Sequence, residues 1–219
     1  MFGNNPKRQP KVSDGSNLKV QKIFLTIQGE GPHAGVPAIF IRLGGCNLAC
    51  KFCDTEFESF EEMKIEEIIE NVTSLAHQTS VKLIVITGGE PFRQSINLLC
   101  HALLDLNFQV QIETNGTLYQ EIPEKVQVVC SPKPNGYKYF KPRKELENHI
   151  IAYKFLVSHY HEGYKAIPEW EFGNIPVYVQ PIDEIETEKN QNNSFLAIEI
   201  ATKKNYIYSC QIHKIIGIE

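Results

Sequence analysis

The chain has 219 residues, 42% of them hydrophobic, enough for one sizeable core in one domain. Its formal net charge of −4 argues against a nucleic-acid-binding face, and no run of about 18 apolar residues suggests a membrane span. Met1 to Lys7 has no apolar core resembling a secretion signal, so a cytoplasmic chain is expected.

Residues 1–17 are polar, rich in Gly, Pro and Asn, and read as a loose arm; residues 18–219 read as the domain. Residues 20–25 and then 38–43 read as strands, the second ending just before Cys46. Residues 55–64 carry no clear element. Residues 65–76 place Ile65, Ile68, Ile69, Val72, Leu75 and Ala76 at helical spacing. Residues 82–86 form a buried-strand pattern that Gly88, Gly89 and Pro91 end. A helix follows over 96–106 and a strand over 109–112, before the turn at Asn115-Gly116. Strands are expected over 126–130, 152–157 and 176–180, a helix over 195–203 and a late strand over 205–212.

Alternating strands and helices argue for an α/β fold with a mainly parallel sheet. A complete (β/α)8 barrel usually takes about 250 residues, so a partial, open barrel of about six mainly parallel strands fits better. The polar clusters at residues 87–91, 113–116, 131–133 and 180–181 each follow a strand, as does Cys46. In parallel α/β folds the carboxyl ends of the strands share one face, so these clusters can converge on one mouth.

Cys46, Cys50 and Cys53 form a CxxxCxxC run, three soft thiolates with no fourth. On a cubane iron–sulfur cluster that leaves one iron open to a chelating amine and carboxylate. A zinc site is the alternative, and it needs a fourth ligand from His33, Asp54 or a distant histidine. Cys100, Cys130 and Cys210 lie far apart and read as small buried thiols rather than disulfide partners.

The cysteine run after one strand, with Gly88-Gly89-Glu90-Pro91 after the next, resembles the radical S-adenosylmethionine (SAM) superfamily. That resemblance implies the open barrel of that superfamily and a [4Fe-4S] cluster on Cys46, Cys50 and Cys53. It also implies SAM bound to the open iron and cleaved to an adenosyl radical. A longer series narrows the likeness: residues 24–31, 35–43, Cys53-Asp54-Thr55, 87–91, 112–116, 131–133, 180–181 and 211–214. In that order they resemble the 7-carboxy-7-deazaguanine synthase family from about residue 20 to the end. The resemblance implies a lyase that converts 6-carboxy-5,6,7,8-tetrahydropterin to 7-carboxy-7-deazaguanine with loss of ammonia, in queuosine and deazapurine synthesis. SAM is regenerated each turnover, Mg²⁺ is required, a homodimer is expected, and flavodoxin or ferredoxin supplies the electron. The rival readings are another radical SAM enzyme, such as a glycyl-radical activase, and a zinc-binding cysteine module. An activase has no reason to carry the pterin segment, Arg42 or Cys-Asp-Thr.

The resemblance also implies site residues. Arg42 ends an apolar strand; a guanidinium forks onto a carboxylate, here the substrate's or that of a nearby Glu. Ile27, Gln28 and Gly29 match the pterin-binding segment, with Thr87 and the terminal Glu219 as further substrate candidates. Thr55 matches the Mg²⁺ ligand, although by itself a Thr after an Asp suits a turn or helix cap. Phe52, Cys53, Asp54, Gly89, Glu90, Ser131, Pro132, Lys133 and Gln180 match SAM contacts, and Glu113 and Asn115 suit ribose hydroxyls. Without the resemblance, Lys133 is by default a solvated surface cation. No side chain is assigned as catalytic, because the cluster and SAM carry the chemistry.

Overall fold

The computed structural model describes residues 5–218. In chain order the strands and helices are β1 (Asn17–Ile27), β2 (Pro37–Leu43), β3 (Glu61–Lys64), α1 (Ile65–His77), β4 (Leu83–Gly88), α2 (Asn97–Asp105), β5 (Gln109–Thr114) and β6 (Gln127–Cys130). A small hairpin of β7 (Pro134–Asn135) and β8 (Lys138–Tyr139) comes next. It is followed by β9 (Ile150–Val157), β10 (Val177–Pro181), α3 (Thr187–Lys204), β11 (Ile207–Tyr208) and α4 (Ile212–Ile216).

The main sheet runs β11-β10-β9-β6-β5-β4-β2-β1-β3, with β11 at one edge and β3 at the other. Every pair from β11 to β2 is parallel, and β1 and β3 extend it antiparallel. The barrel is therefore open, and β2, β4, β5, β6, β9 and β10 are its parallel staves. Period-two alternation separates the two faces. Ile39, Ile41 and Leu43 of β2, Ile84 and Ile86 of β4, and Val110 and Ile112 of β5 share the main core with Ile68 and Val72 of α1 and Leu99 and Leu103 of α2. Their alternates Phe40, Arg42, Thr87, Glu113 and Lys154 line the hollow of the barrel instead.

Three expectations need correction. Residues 55–64 end in β3, which pairs with the start of β1 from Asn17↔Lys64 to Val20↔Glu61. Glu-Glu-Met-Lys has no apolar alternation because β3 is an edge strand, where charge blocks further pairing. Helix α3 begins at Thr187 rather than residue 195, because its first turns are polar and give no periodic signal. The late strand shrinks to Ile207–Tyr208, and Ile212 instead opens α4. There the chain leaves the sheet edge: Ser209 N–H donates to Val179 O at 2.9 Å, and Ile212 N–H donates across the mouth to Gly29 O at 3.1 Å.

Two glycines fix how β4 meets the end of β2. A Cβ on Gly88 (φ +122°) would lie 2.2 Å from Leu43 O, and one on Gly89 would lie 2.1 Å from Gly45 O. Gly89 N–H donates to Leu43 O at 3.1 Å and Glu90 N–H to Gly45 O at 3.0 Å, so backbone packs directly on backbone. The N-terminal arm joins here too, with Arg8 N–H donating to Cys46 O at 2.7 Å and Lys11 N–H to Arg93 O at 2.8 Å. Among the described residues, no helix is long and apolar enough to cross a membrane.

Gly88→Ala combines backbone strain with a clash that no side-chain rotation relieves, and is expected to lower stability by about 2–3 kcal/mol. Gly136 also has positive φ (+61°) but meets nothing within 4 Å, so Gly136→Ala should cost only about 1 kcal/mol. Urea unfolding of both variants checks the order; equal losses would place the constraint elsewhere.

Candidate functional site

A cavity of about 640 Å³ opens at the carboxyl ends of the parallel strands. Cys46, Cys50, Cys53, Thr55, Ile27, Gln28, Arg42, Thr87, Phe52, Asp54, Gly89, Glu113, Ser131, Lys133 and Gln180 all line it, as does Asn115. The strand-end clusters thus meet at one mouth.

Gly29, Glu90 and Pro132 are not on the wall, and Glu219 lies outside the described residues. Glu90 is wholly buried and its carboxylate points into the fold. It accepts from Thr114 Oγ1 (2.7 Å), Asn115 N–H (2.8 Å) and Phe92 N–H (3.1 Å). The side chain thus braces the β4 turn against the end of β5 rather than facing a ligand. Burial raises its pKa despite these three donors. Gly29 makes room for the C-terminal segment instead: a Cβ there would sit 2.0 Å from His213 Nδ1.

The three thiols stand on one wall, and all six cysteines are free. Cys100 and Cys130 are fully buried, as expected of small apolar thiols, while Cys210 is half-buried. Burial pushes Cys46 up to about 12, although Leu48 N–H donates to its sulfur at 3.4 Å. A metal deprotonates a coordinating thiol outright, so this apolar seat favours the thiol only until metal binds. Among the described residues no three His, Cys, Asp or Glu side chains converge on a single-ion centre. A cubane places each thiolate on its own iron, and three thiols along one wall suit that better than one zinc ion. Lys133 is half-buried, not solvated, and its Nζ donates to Ser131 O (2.6 Å) and Ser131 Oγ (2.7 Å). Asn115 Nδ2 donates to Asn47 Oδ1 at 2.9 Å, tying the cysteine loop to the β5 turn.

The barrel floor holds a network that the sequence reading did not single out. Lys154, 4% exposed, sits between two carboxylates. Its Nζ pairs with Glu30 and, at 3.0 Å, with Glu113 Oε2. Gln28 Nε2 donates to Glu113 Oε1 at 2.8 Å, and Gln211 Nε2 to Glu30 Oε1 at 2.7 Å. Burial alone would raise Glu30, but Lys154 and then Gln211 hold it at about 2. Burial would likewise lower Lys154, and the two carboxylates hold it above its ordinary value. The signal was a lone cation inside the apolar strand Ile-Ile-Ala-Tyr-Lys-Phe-Leu-Val. His213 also lines the cavity; burial lowers its pKa more than Glu30 raises it, so the ring is neutral at neutral pH. Lys214 bonds Asp54 Oδ2 (2.5 Å) and Asp183 Oδ2 (3.1 Å), pinning α4 to the cysteine loop and to the segment after β10.

The residues 40–137 match the model of the radical SAM superfamily. The chain is 50% identical to 7-carboxy-7-deazaguanine synthase of Rickettsia prowazekii, over 100% of this chain and 96% of that protein. It is 36% identical to 7-carboxy-7-deazaguanine synthase of Rhodospirillum rubrum, over the full length of both. The crystal structure of QueE from Escherichia coli superposes with a TM-score of 0.73 at 26% identity, over 90% of this chain and 95% of that one.

Lys154→Met strands two half-buried carboxylates and is expected to cost about 3 kcal/mol at neutral pH. Glu30 is depressed, so its contribution is present above its ordinary value of 4.5 and lost as pH falls toward about 2. The gap between wild type and variant should therefore narrow across that range in denaturant unfolding. A gap independent of pH would contradict the pairing.

Proposed function

This chain belongs to the 7-carboxy-7-deazaguanine synthase family of the radical SAM superfamily, and we propose that its cavity rearranges 6-carboxy-5,6,7,8-tetrahydropterin to 7-carboxy-7-deazaguanine with release of ammonia. The supporting observation is that the three thiols, the bare Gly88-Gly89 backbone and the Arg42–Thr87 strand ends face a single hollow. Cys46, Cys50 and Cys53 would hold a [4Fe-4S] cluster, which when bound would supply the one-electron reduction of SAM that radical chemistry on the pterin needs.

Every other task falls to the chain. Gly88 and Gly89 have no room for a side chain against Leu43 and Gly45, and this close packing sets their backbone on the cavity wall, where it can meet the methionine amino group. Ser131, Lys133 and Gln180 line the same cavity as the cysteine loop and are the further SAM contacts of this reading. Arg42 lies over the Phe24 ring at 4.9 Å, which orients the guanidinium to fork onto the substrate carboxylate. The Gln28 amide is engaged internally: its Oε1 accepts from Glu30 N–H at 3.1 Å and its Nε2 donates to Glu113. Gln28 therefore holds the floor in place, and Glu30 and Glu113 offer acceptor oxygens to the amino and ring N–H groups of a pterin. Thr55 Oγ1 lies 3.3 Å from Asp54 Oδ1, and the pair offers a hard cation the oxygen ligands that Mg²⁺ takes beside its waters and a substrate carboxylate. A homodimer reduced by a flavodoxin- or ferredoxin-type carrier is the working form we infer.

Anaerobic protein with a full cluster, dithionite, SAM and Mg²⁺ is expected to turn over the carboxy-tetrahydropterin; unchanged substrate with the cluster intact sinks this reading. Arg42→Ala should raise KM for the pterin about tenfold or more while SAM affinity stays put, since charge-assisted bonds contribute about 1.5–3 kcal/mol. Equal loss of both would remove Arg42 from the substrate carboxylate. Thr55→Ala should raise the Mg²⁺ concentration needed for half-maximal rate, read in a metal titration; an unaltered requirement places the ion elsewhere.

A further inference from the structure

We propose that the face behind the cysteine loop, built from the β7–β8 hairpin and the loop of residues 158–168, docks an acidic one-electron carrier protein that reduces the cluster. This rests on the cluster reading above. The cavity side is occupied by SAM and substrate during turnover, so an electron must enter through the wall that carries the thiols.

That wall is one loop thick. Tyr164, 7% exposed, packs with Phe52, Ile182 and Cys50. The Phe52 ring meets Tyr164 edge-on at 4.8 Å and His161 at 5.1 Å. The same loop presents Tyr160, Gly163 and Lys165 to a separate outer groove of about 690 Å³. The hairpin closes down on it: a Cβ on Gly163 (φ +83°) would lie 2.2 Å from Gly136 O, and the Tyr137 hydroxyl bonds Glu162. A chain of side chains thus runs from a cluster ligand, through Tyr164 and its loop, to the outside.

The charge of this face is opposite to that of the molecule. The chain carries −4 overall, yet residues 134–144 hold four cations and no Asp or Glu, and the acid lining the groove is Glu162. Lys138, Lys141, Arg143 and Lys144 of that run are exposed, as is Lys165 across the groove. The centre is apolar, with Tyr137 82% and Phe140 52% exposed. An aromatic centre with a cationic rim suits a small, transient redox interface in which opposite charge steers encounter.

The test uses holoprotein, a recombinant bacterial flavodoxin and the double variant K138E/K165E, both positions being exposed and outside the cavity. Calorimetry at low ionic strength should find wild-type binding that weakens as salt is added, and binding about tenfold weaker or more in the variant. SAM binding and dithionite-driven turnover should be unchanged, because dithionite needs no docking face. Equal flavodoxin affinity in the two proteins, or no binding to wild type, overturns the proposal. A change in oligomeric state of the variant on sedimentation also overturns it, assigning the face to a second copy of this chain. Loss of dithionite-driven turnover in wild type instead strikes the proposed function, since the binding isotherm is read without turnover.

Discussion

Backbone packed on backbone at the β2–β4 junction is the constraint on which the site depends. Neither Gly88 nor Gly89 has room for a methyl group, and Gly45 opposite them has positive φ with the Arg93 guanidinium 2.8 Å from where its Cβ would stand. Arg93 Nη2 donates to Gly44 O at 2.8 Å, so a buried cation leans on a main-chain carbonyl oxygen at this junction. From this point the chain departs directly into Cys46. The position of the first thiol is therefore set by the sheet itself and not by a flexible loop, the kind of rigid support that a preorganised site needs. Glu90 fastens the other side of the same turn to the end of β5.

Strand alternation does the remaining work. β2, β4 and β5 send Ile and Val residues outward to α1 and α2, while their alternates form a small apolar cluster of Ala38, Phe40, Leu83 and Val85 low in the barrel and put Arg42, Thr87 and Glu113 on the cavity wall above it. An inward row of unpaired polar groups would be costly, and the protein answers with the Glu30–Lys154–Glu113 arrangement, in which two carboxylates share one ammonium. The floor that results is rigid and rich in acceptors before any ligand arrives. Two carboxylates against one ammonium leave it with surplus negative charge.

Much of this was legible in the sequence because the informative residues carry strong local signals. β-Branched runs ending in Gly-Gly or Asn-Gly located β4 and β5, and the three clustered cysteines marked the metal-binding wall. What the sequence hid was of two kinds. Edge and surface elements such as β3 and the first half of α3 have no apolar period, because water satisfies one side of them. Contacts between distant positions are invisible along the chain, so Glu90 read as a ligand when it braces the fold, and Lys154 was passed over inside an ordinary-looking strand. A charge in the middle of a buried strand is nonetheless a readable warning, since it demands a partner.

The C-terminal segment forms a stretch of the cavity wall next to the cysteine loop. Ile212 hangs from Gly29, Lys214 clips to Asp54 and Asp183, and Ile218 reaches the wall. Residues 211–218 therefore act as a side wall, and cutting the chain back before Gln211 would strip Gln211, His213 and Lys214 from the lining and let water into the hollow.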